Sequence, residues 1–205
     1  EQFLRWLDAG KIVCRESYAL PSVITPANTT DAIPKSLYEA EKDDMNPEEH
    51  ELIDAVVALD NVKWWHRIIE KKGFRLNGFI NHYPDFMVMT KSGKLVLIEY
   101  KGDDRDNSNS ARKLKLGRKW QAQCGPEYRY FMVFKNRDFG IDGAYTLDRF
   151  AVLRNELRYA ASFRDCSIRV ISGFQHISAT SVCDCVYDSF FTRYFVFTRS
   201  KLLCD

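Results

Sequence analysis

Asp85, Glu99 and Lys101 are the residues of this chain whose types and spacing suit shared chemistry. They lie in the stretch YPDFMVMTKSGKLVLIEYK, Tyr83 to Lys101, with thirteen residues between the two acids. FMVM and LVLIEY have strand composition, and Lys91-Ser92-Gly93 supplies turn chemistry, so the stretch reads as a hairpin. A three-residue loop with Gly93 in the left-handed conformation pairs Thr90 with Lys94 and, counting outward, Asp85 with Glu99. Strand side chains alternate faces, so Glu99 and Lys101 fall on the face of Asp85. Two carboxylates this close repel, and one of them normally keeps its proton. A divalent cation removes the conflict, and hard oxygen ligands suit Mg²⁺. Without an ion the same residues make a solvated hairpin edge with an ordinary Glu–Lys pair.

The hairpin needs cover on both sides, because Phe86, Met87, Val88, Leu97 and Ile98 are apolar on both faces. Helices are expected before and after it. Asn46 can cap the first, Pro47 fits its first position and Glu49 stands three residues after the cap. Leu52, Ile53, Val56, Val57 and Leu59 give that helix (46–59) a broad buried stripe. Glu49 has two readings: a capping-box acid that closes the helix on itself, or a first-turn carboxylate that faces the hairpin and assists the metal. VKWWHRI (62–68) and the segment 73–80 read as strands. His66 and His82 read as packed, hydrogen-bonded histidines, the commoner state beside aromatics, with catalysis as the alternative.

After the hairpin, GDDRDNSNS is a polar loop rich in helix caps, and SARKLKLGRKWQAQC (110–124) is a helix stopped at Gly125-Pro126. On a helical wheel Leu114, Gly117, Gln121 and Cys124 form its buried stripe, and Arg112, Lys115 and Lys119 share the opposite face. That basic face is either solvated or a ridge that tracks phosphates. Lys113 lies off the ridge, toward the buried side, within reach of the hairpin. YRYFMVF (128–134) reads as a fully buried strand. The expected order is helix, strand, strand, strand, helix, strand, an α/β core with a central mixed sheet flanked by helices.

A length of 205 residues suits one domain or one domain with an appendage. With 45% hydrophobic residues there is material for a core, and a net charge of +2 confines any nucleic-acid surface to a local patch. No run of apolar residues is long enough for a transmembrane helix. The chain begins with Glu1, without a signal-like segment, and the expectation is a cytoplasmic fragment of a longer protein. Six cysteines are present, but Cys183-x-Cys185 is too tight for the usual zinc pairing, so they read as reduced thiols.

Pro84-Asp85, the thirteen-residue interval and Glu99-Tyr100-Lys101 resemble the motif of the PD-(D/E)xK nuclease superfamily. A longer string carries a narrower likeness. SLYEAEKDDMNPEE, DNVKWWHR, FRLNGFINHYPDFMV, SGKLVLIEYKGDDRDNSNS, KLKLGRKW and YRYFMVF together resemble the C-terminal nuclease region of the restriction subunit of type III restriction–modification enzymes. The likeness covers roughly residues 36–134. It implies a restriction-endonuclease-like core and Mg²⁺-dependent hydrolysis of DNA phosphodiesters. Asp85, Glu99 and Lys101 match the family's catalytic triplet, and Glu49 matches its helix acid. Asp85, Glu99 and the backbone carbonyl of Tyr100 would hold the ion, and Lys101 would orient a water and balance charge in the transition state. Arg112, Lys115, Lys119 and Lys113 are the candidate DNA contacts. Tyr100 stands where the family often has a small residue, which matters little if only its carbonyl is used.

The likeness also implies absent parts. No Gly-x₄-Gly-Lys-Ser/Thr loop occurs, so ATP binding and translocation would belong to an upstream motor region, and a methyltransferase/specificity subunit would be the partner. The chain divides into a lead segment (1–35), a nuclease domain (36–144) and a divergent tail (145–205). The tail holds eleven aromatics, four cysteines and no proline. It reads as an accessory segment or as the product of a slipped reading frame. LDRFAVLRNELRYAA within it suggests a helix, and SIRVIS and YFVFT suggest strands. Two alternatives from other classes share the fold: a non-catalytic DNA-binding or assembly module, and a nuclease directed at RNA or junctions.

Overall fold

The central hairpin forms because its two runs are apolar on both faces and its turn is glycine-ended. Strands β5 (Phe86–Thr90) and β6 (Leu95–Lys101) pair antiparallel, with Phe86 opposite Ile98 and Met89 opposite Leu95. Gly93 has φ +84°, and the Thr90 amide donates to the Lys94 carbonyl at 2.9 Å. This register carries outward to Asp85 opposite Glu99. The computed structural model describes residues 1–31, 33–41, 43–102, 108–136, 140–152 and 193–199.

Around the hairpin a five-stranded mixed sheet is built in the order β2-β5-β6-β7-β8. β2 (Val62–Arg67) joins β5 antiparallel; β7 (Tyr128–Phe134) and β8 (Ala144–Thr146) extend the sheet in parallel from β6. The long helix α3 (Ser108–Cys124) makes the crossover from β6 to β7 that parallel pairing requires. Helix α2 (Pro47–Val57) and the short α4 (Leu147–Val152) cover one face, where Leu52, Ile53, Val56 and Phe150 pack on Phe86, Val88, Ile98 and Phe131. The other face takes α3 and the N-terminal α1 (Gln2–Asp8), with Leu7, Leu116 and Trp120 over Met87, Leu97 and Tyr130.

Three expectations change. The segment 73–80 is not one strand. Asn77-Gly78 turns the chain back on itself, so β3 (Leu76–Asn77) and β4 (Asn81–His82) form a separate two-stranded ribbon. Helix α3 is rotated from its expected seating: Leu116 and Trp120 are fully buried, while Gln121 and Cys124 are only half-buried. The sheet also runs on past Ala144, the boundary read from sequence, since β8 begins there and Phe150 of α4 is in the core. Of the tail, the helix over residues 147–161 is described only to Val152, SIRVIS lies outside the described residues, and YFVFT lies within β9 (Arg193–Arg199). That strand pairs antiparallel with β1 (Ile12–Ala19). Of GDDRDNSNS, residues 103–107 lie outside the described residues.

Candidate active site

The ends of β5 and β6 open into a cleft of about 320 Å³ that takes in Asp85, Glu99, Lys101 and Lys113. Each acid is held differently. Asp85 accepts the Tyr100 backbone N–H through Oδ2 at 2.7 Å, and its Oδ1 lies 3.1 Å from Arg67 Nη1. Glu99 is buried, and one oxygen, Oε1, takes two ammonium groups at 2.6 Å each, Lys101 Nζ and Lys113 Nζ. Its second oxygen, Oε2, is buried without a hydrogen-bond partner. Burial first, and then the neighbouring Glu99 charge, push the Asp85 carboxyl up to about 6, against the pull of Arg67. Burial alone would lower the Lys101 pKa, but the Glu99 and Asp85 carboxylates outweigh it and raise it, so Lys101 stays charged.

Arg67 was not foreseen from sequence. It closes β2 beside Phe86 and is buried, with its guanidinium 5.0 Å over the Phe86 ring. Besides Asp85 it reaches Asp44 Oδ1 at 3.1 Å through Nε and Glu49 Oε2 at 3.4 Å through Nη2. Its sequence signal was no more than an arginine ending the strand VKWWHR, and only the lateral pairing of β2 with β5 sets it beside the acid. Glu49 makes the capping box: its Oε2 accepts the Asn46 N–H at 3.0 Å, and Asn46 Oδ1 accepts the Glu49 N–H at 2.8 Å. Burial raises the Glu49 pKa, partly offset by Arg67. Of the two sequence readings of Glu49, the cap is what is seen; its other contact is with Arg67, and it is not among the residues lining the cleft.

Behind Glu99 stands a buried pair. His82 Nε2 lies 2.8 Å from the Tyr130 hydroxyl and 3.9 Å from Glu99 Oε2. Burial, and then the Lys113 and Lys101 charges, hold the His82 pKa well below the ordinary imidazole range, so the ring is neutral. His66 is the packed histidine its surroundings suggested. Its Nδ1 lies 2.8 Å from the buried Glu41, whose oxygens also accept the Arg67 N–H and the Ser36 hydroxyl.

Lys113 leaves the basic ridge and enters the cleft from the first half of α3. Arg112 and Lys115 are exposed, but Lys119 reaches Asp8 of α1 at 2.7 Å. No group of three His, Cys, Asp or Glu side chains that could hold a metal ion occurs among the described residues. Toward a hard cation the cleft presents the Asp85 and Glu99 carboxylates, with those of Asp44 and Glu70 also on its wall. A fit is supported by the unpartnered Glu99 Oε2 and by the two ammonium groups crowded on Oε1, where the fold already demands positive charge. No helix among the described residues is long and apolar enough to cross a membrane. Compared with protein-family models, with curated proteins and with solved structures, the chain finds no match.

Proposed function

We propose that this chain is a Mg²⁺-dependent endonuclease domain with a restriction-endonuclease-like core, hydrolysing DNA phosphodiesters as the nuclease part of a type III restriction enzyme. The observation that carries the reading is one cleft lined by Asp85, bonded to the Tyr100 amide just past the β5–β6 ladder, and by Glu99 with Lys101 bound to it. Asp85, Glu99 and the Tyr100 carbonyl would hold the ion. When bound, Mg²⁺ supplies Lewis-acid polarisation of a phosphate oxygen and lowers the pKa of a water. Lys101 orients the attacking water and offsets charge on the phosphorane-like transition state. Lys113, bonded to Glu99 at 2.6 Å, brings a second ammonium into the cleft, where it would meet a phosphate. The neutral His82 and its Tyr130 partner wall off Glu99 from behind without bonding to it. ATP would act only through a motor region upstream, and a methyltransferase/specificity subunit would complete the complex.

The test is nicking of supercoiled plasmid by the purified chain with Mg²⁺ and with chelator, beside Asp85→Asn. Metal-dependent nicking that the variant loses is the expected result. Cutting by Asp85→Asn at the parent rate would refute the site. DNA binding without cutting in any divalent ion would leave the non-catalytic module, and cleavage confined to RNA or junctions would replace the substrate.

A further inference from the structure

We infer that Arg67 occupies the place of a second cation, so that the cleft takes one divalent ion and Glu49 is not among its ligands. The inference rests on the metal-dependent reading above and concerns how that site is filled.

The carboxylates around the cleft fall into two groups. Glu99 carries the two lysines on one oxygen and leaves the other unpartnered. Asp85, Glu49 and Asp44 instead surround one guanidinium, at 3.1, 3.4 and 3.1 Å. A two-ion site needs the second ion roughly 3.5–4 Å from the first, bridged by a shared carboxylate. Here the carboxylate to be shared is Asp85, and the side chain that would complete the second position is Glu49. Arg67 already spans those two. A guanidinium does not give up its charge, so a second divalent ion there would meet an undischarged cation on the same oxygens.

Displacing Arg67 is costly. Its side chain is only 10% exposed, its aliphatic part is fixed by β2, and its plane lies over Phe86. A swing outward would take the guanidinium from the largely buried Asp85 and Glu49, leaving their charges with only a backbone N–H each. Glu49 has a further commitment, because the oxygen facing Arg67 also caps α2 by accepting the Asn46 N–H. Four carboxylates against three fixed cations leave this cluster one negative charge before any ion enters. One divalent ion reverses that sign and prepares the cleft for a phosphate. A second would load it with surplus positive charge.

The experiment counts ions directly, by titrating Mn²⁺ into the whole chain and reading free Mn²⁺ by electron paramagnetic resonance. The parent is expected to take one Mn²⁺ per chain, and Glu49→Gln to keep that stoichiometry. Asp85→Asn should weaken the site at least about tenfold. Arg67→Met should gain a second Mn²⁺, with a larger rise in melting temperature on adding the ion than the parent shows. Two ions on the parent, or loss of the single ion in Glu49→Gln, would overturn the inference and leave the metal-dependent reading standing. No ion on the parent, or one indifferent to Asp85→Asn, would sink both. Should Arg67→Met fail to fold, the parent and Glu49→Gln counts still decide.

Discussion

Asp85 sits between a like charge, an arginine and a backbone amide, and the balance among them sets how stability follows pH. Its carboxyl lies at about 6 in the fold against an ordinary 3.8, chiefly through burial and then through Glu99. The native state therefore binds this proton more tightly than the unfolded chain does. Its contribution is full below about pH 4, is lost as pH rises through the interval to about 6, and stays lost above it. The loss is of order 1–3 kcal/mol once the coupling to Glu99 and partial exposure are allowed for. Asp85→Asn should raise the melting temperature at pH 8 in chelator and leave it nearly unchanged at pH 4. The Asn side chain still accepts from the Tyr100 amide, and Arg67 keeps Glu49 and Asp44. Melting curves at the two pH values check this. An equal gain at both, or a loss at pH 8, would mean that charge repulsion at Asp85 is not what the fold opposes.

Helix α3 delivers Lys113 to Glu99, and its seating depends on a glycine. A Cβ on Gly117 would lie 2.3–2.5 Å from ring atoms of Tyr130. That ring cannot yield easily, since it is fully buried and its hydroxyl is bonded to His82. Elsewhere on a helix, Gly→Ala stabilises by up to about 1 kcal/mol. Here overpacking should win, and Gly117→Ala should cost a net ~1–3 kcal/mol in urea denaturation. Unchanged or higher stability would show that α3 slides freely over β7 and that this contact does not set the position of Lys113. Helix α2 works differently, because its reciprocal Asn46–Glu49 cap is local and its position on the sheet comes from Leu52, Ile53 and Val56.

At the scale of the whole molecule a net charge of +2 supplies no general attraction for DNA, so the proposed DNA binding would fall to a few surface cations. Arg112 and Lys115 stand exposed on α3, along the same helix that sends Lys113 into the cleft. Lys119 is already neutralised by Asp8, which ties α3 to α1. If the ridge tracks phosphates, replacing Arg112 and Lys115 by Gln should lower the slope of log affinity against log salt by about 0.9 each. Lys119→Gln should change it less. Binding measured across a salt series checks both, and an unchanged slope in the double variant would return this face to solvent.

What the sequence determined by itself is what local geometry governs. The turn at Gly93 and the two-residue period of strands place Asp85 opposite Glu99, because nothing distant enters that count. The Asn46–Glu49 cap and the stop at Gly125 are local in the same way. Tertiary structure alone decided the rest. Arg67 lies eighteen residues before Asp85 and reaches it only because β2 lies beside β5 and a long side chain extends past the strand end. His82 and Tyr130 are brought behind Glu99 by a ribbon and a parallel strand that no short-range pattern aligns. The rotation of α3 likewise follows from Gly117 seating on Tyr130 and Trp120 filling the core, a choice among apolar stripes that the wheel leaves open. Sequence periodicity says which residues can share a face. Which face meets which neighbour depends on volumes and charges contributed from far along the chain.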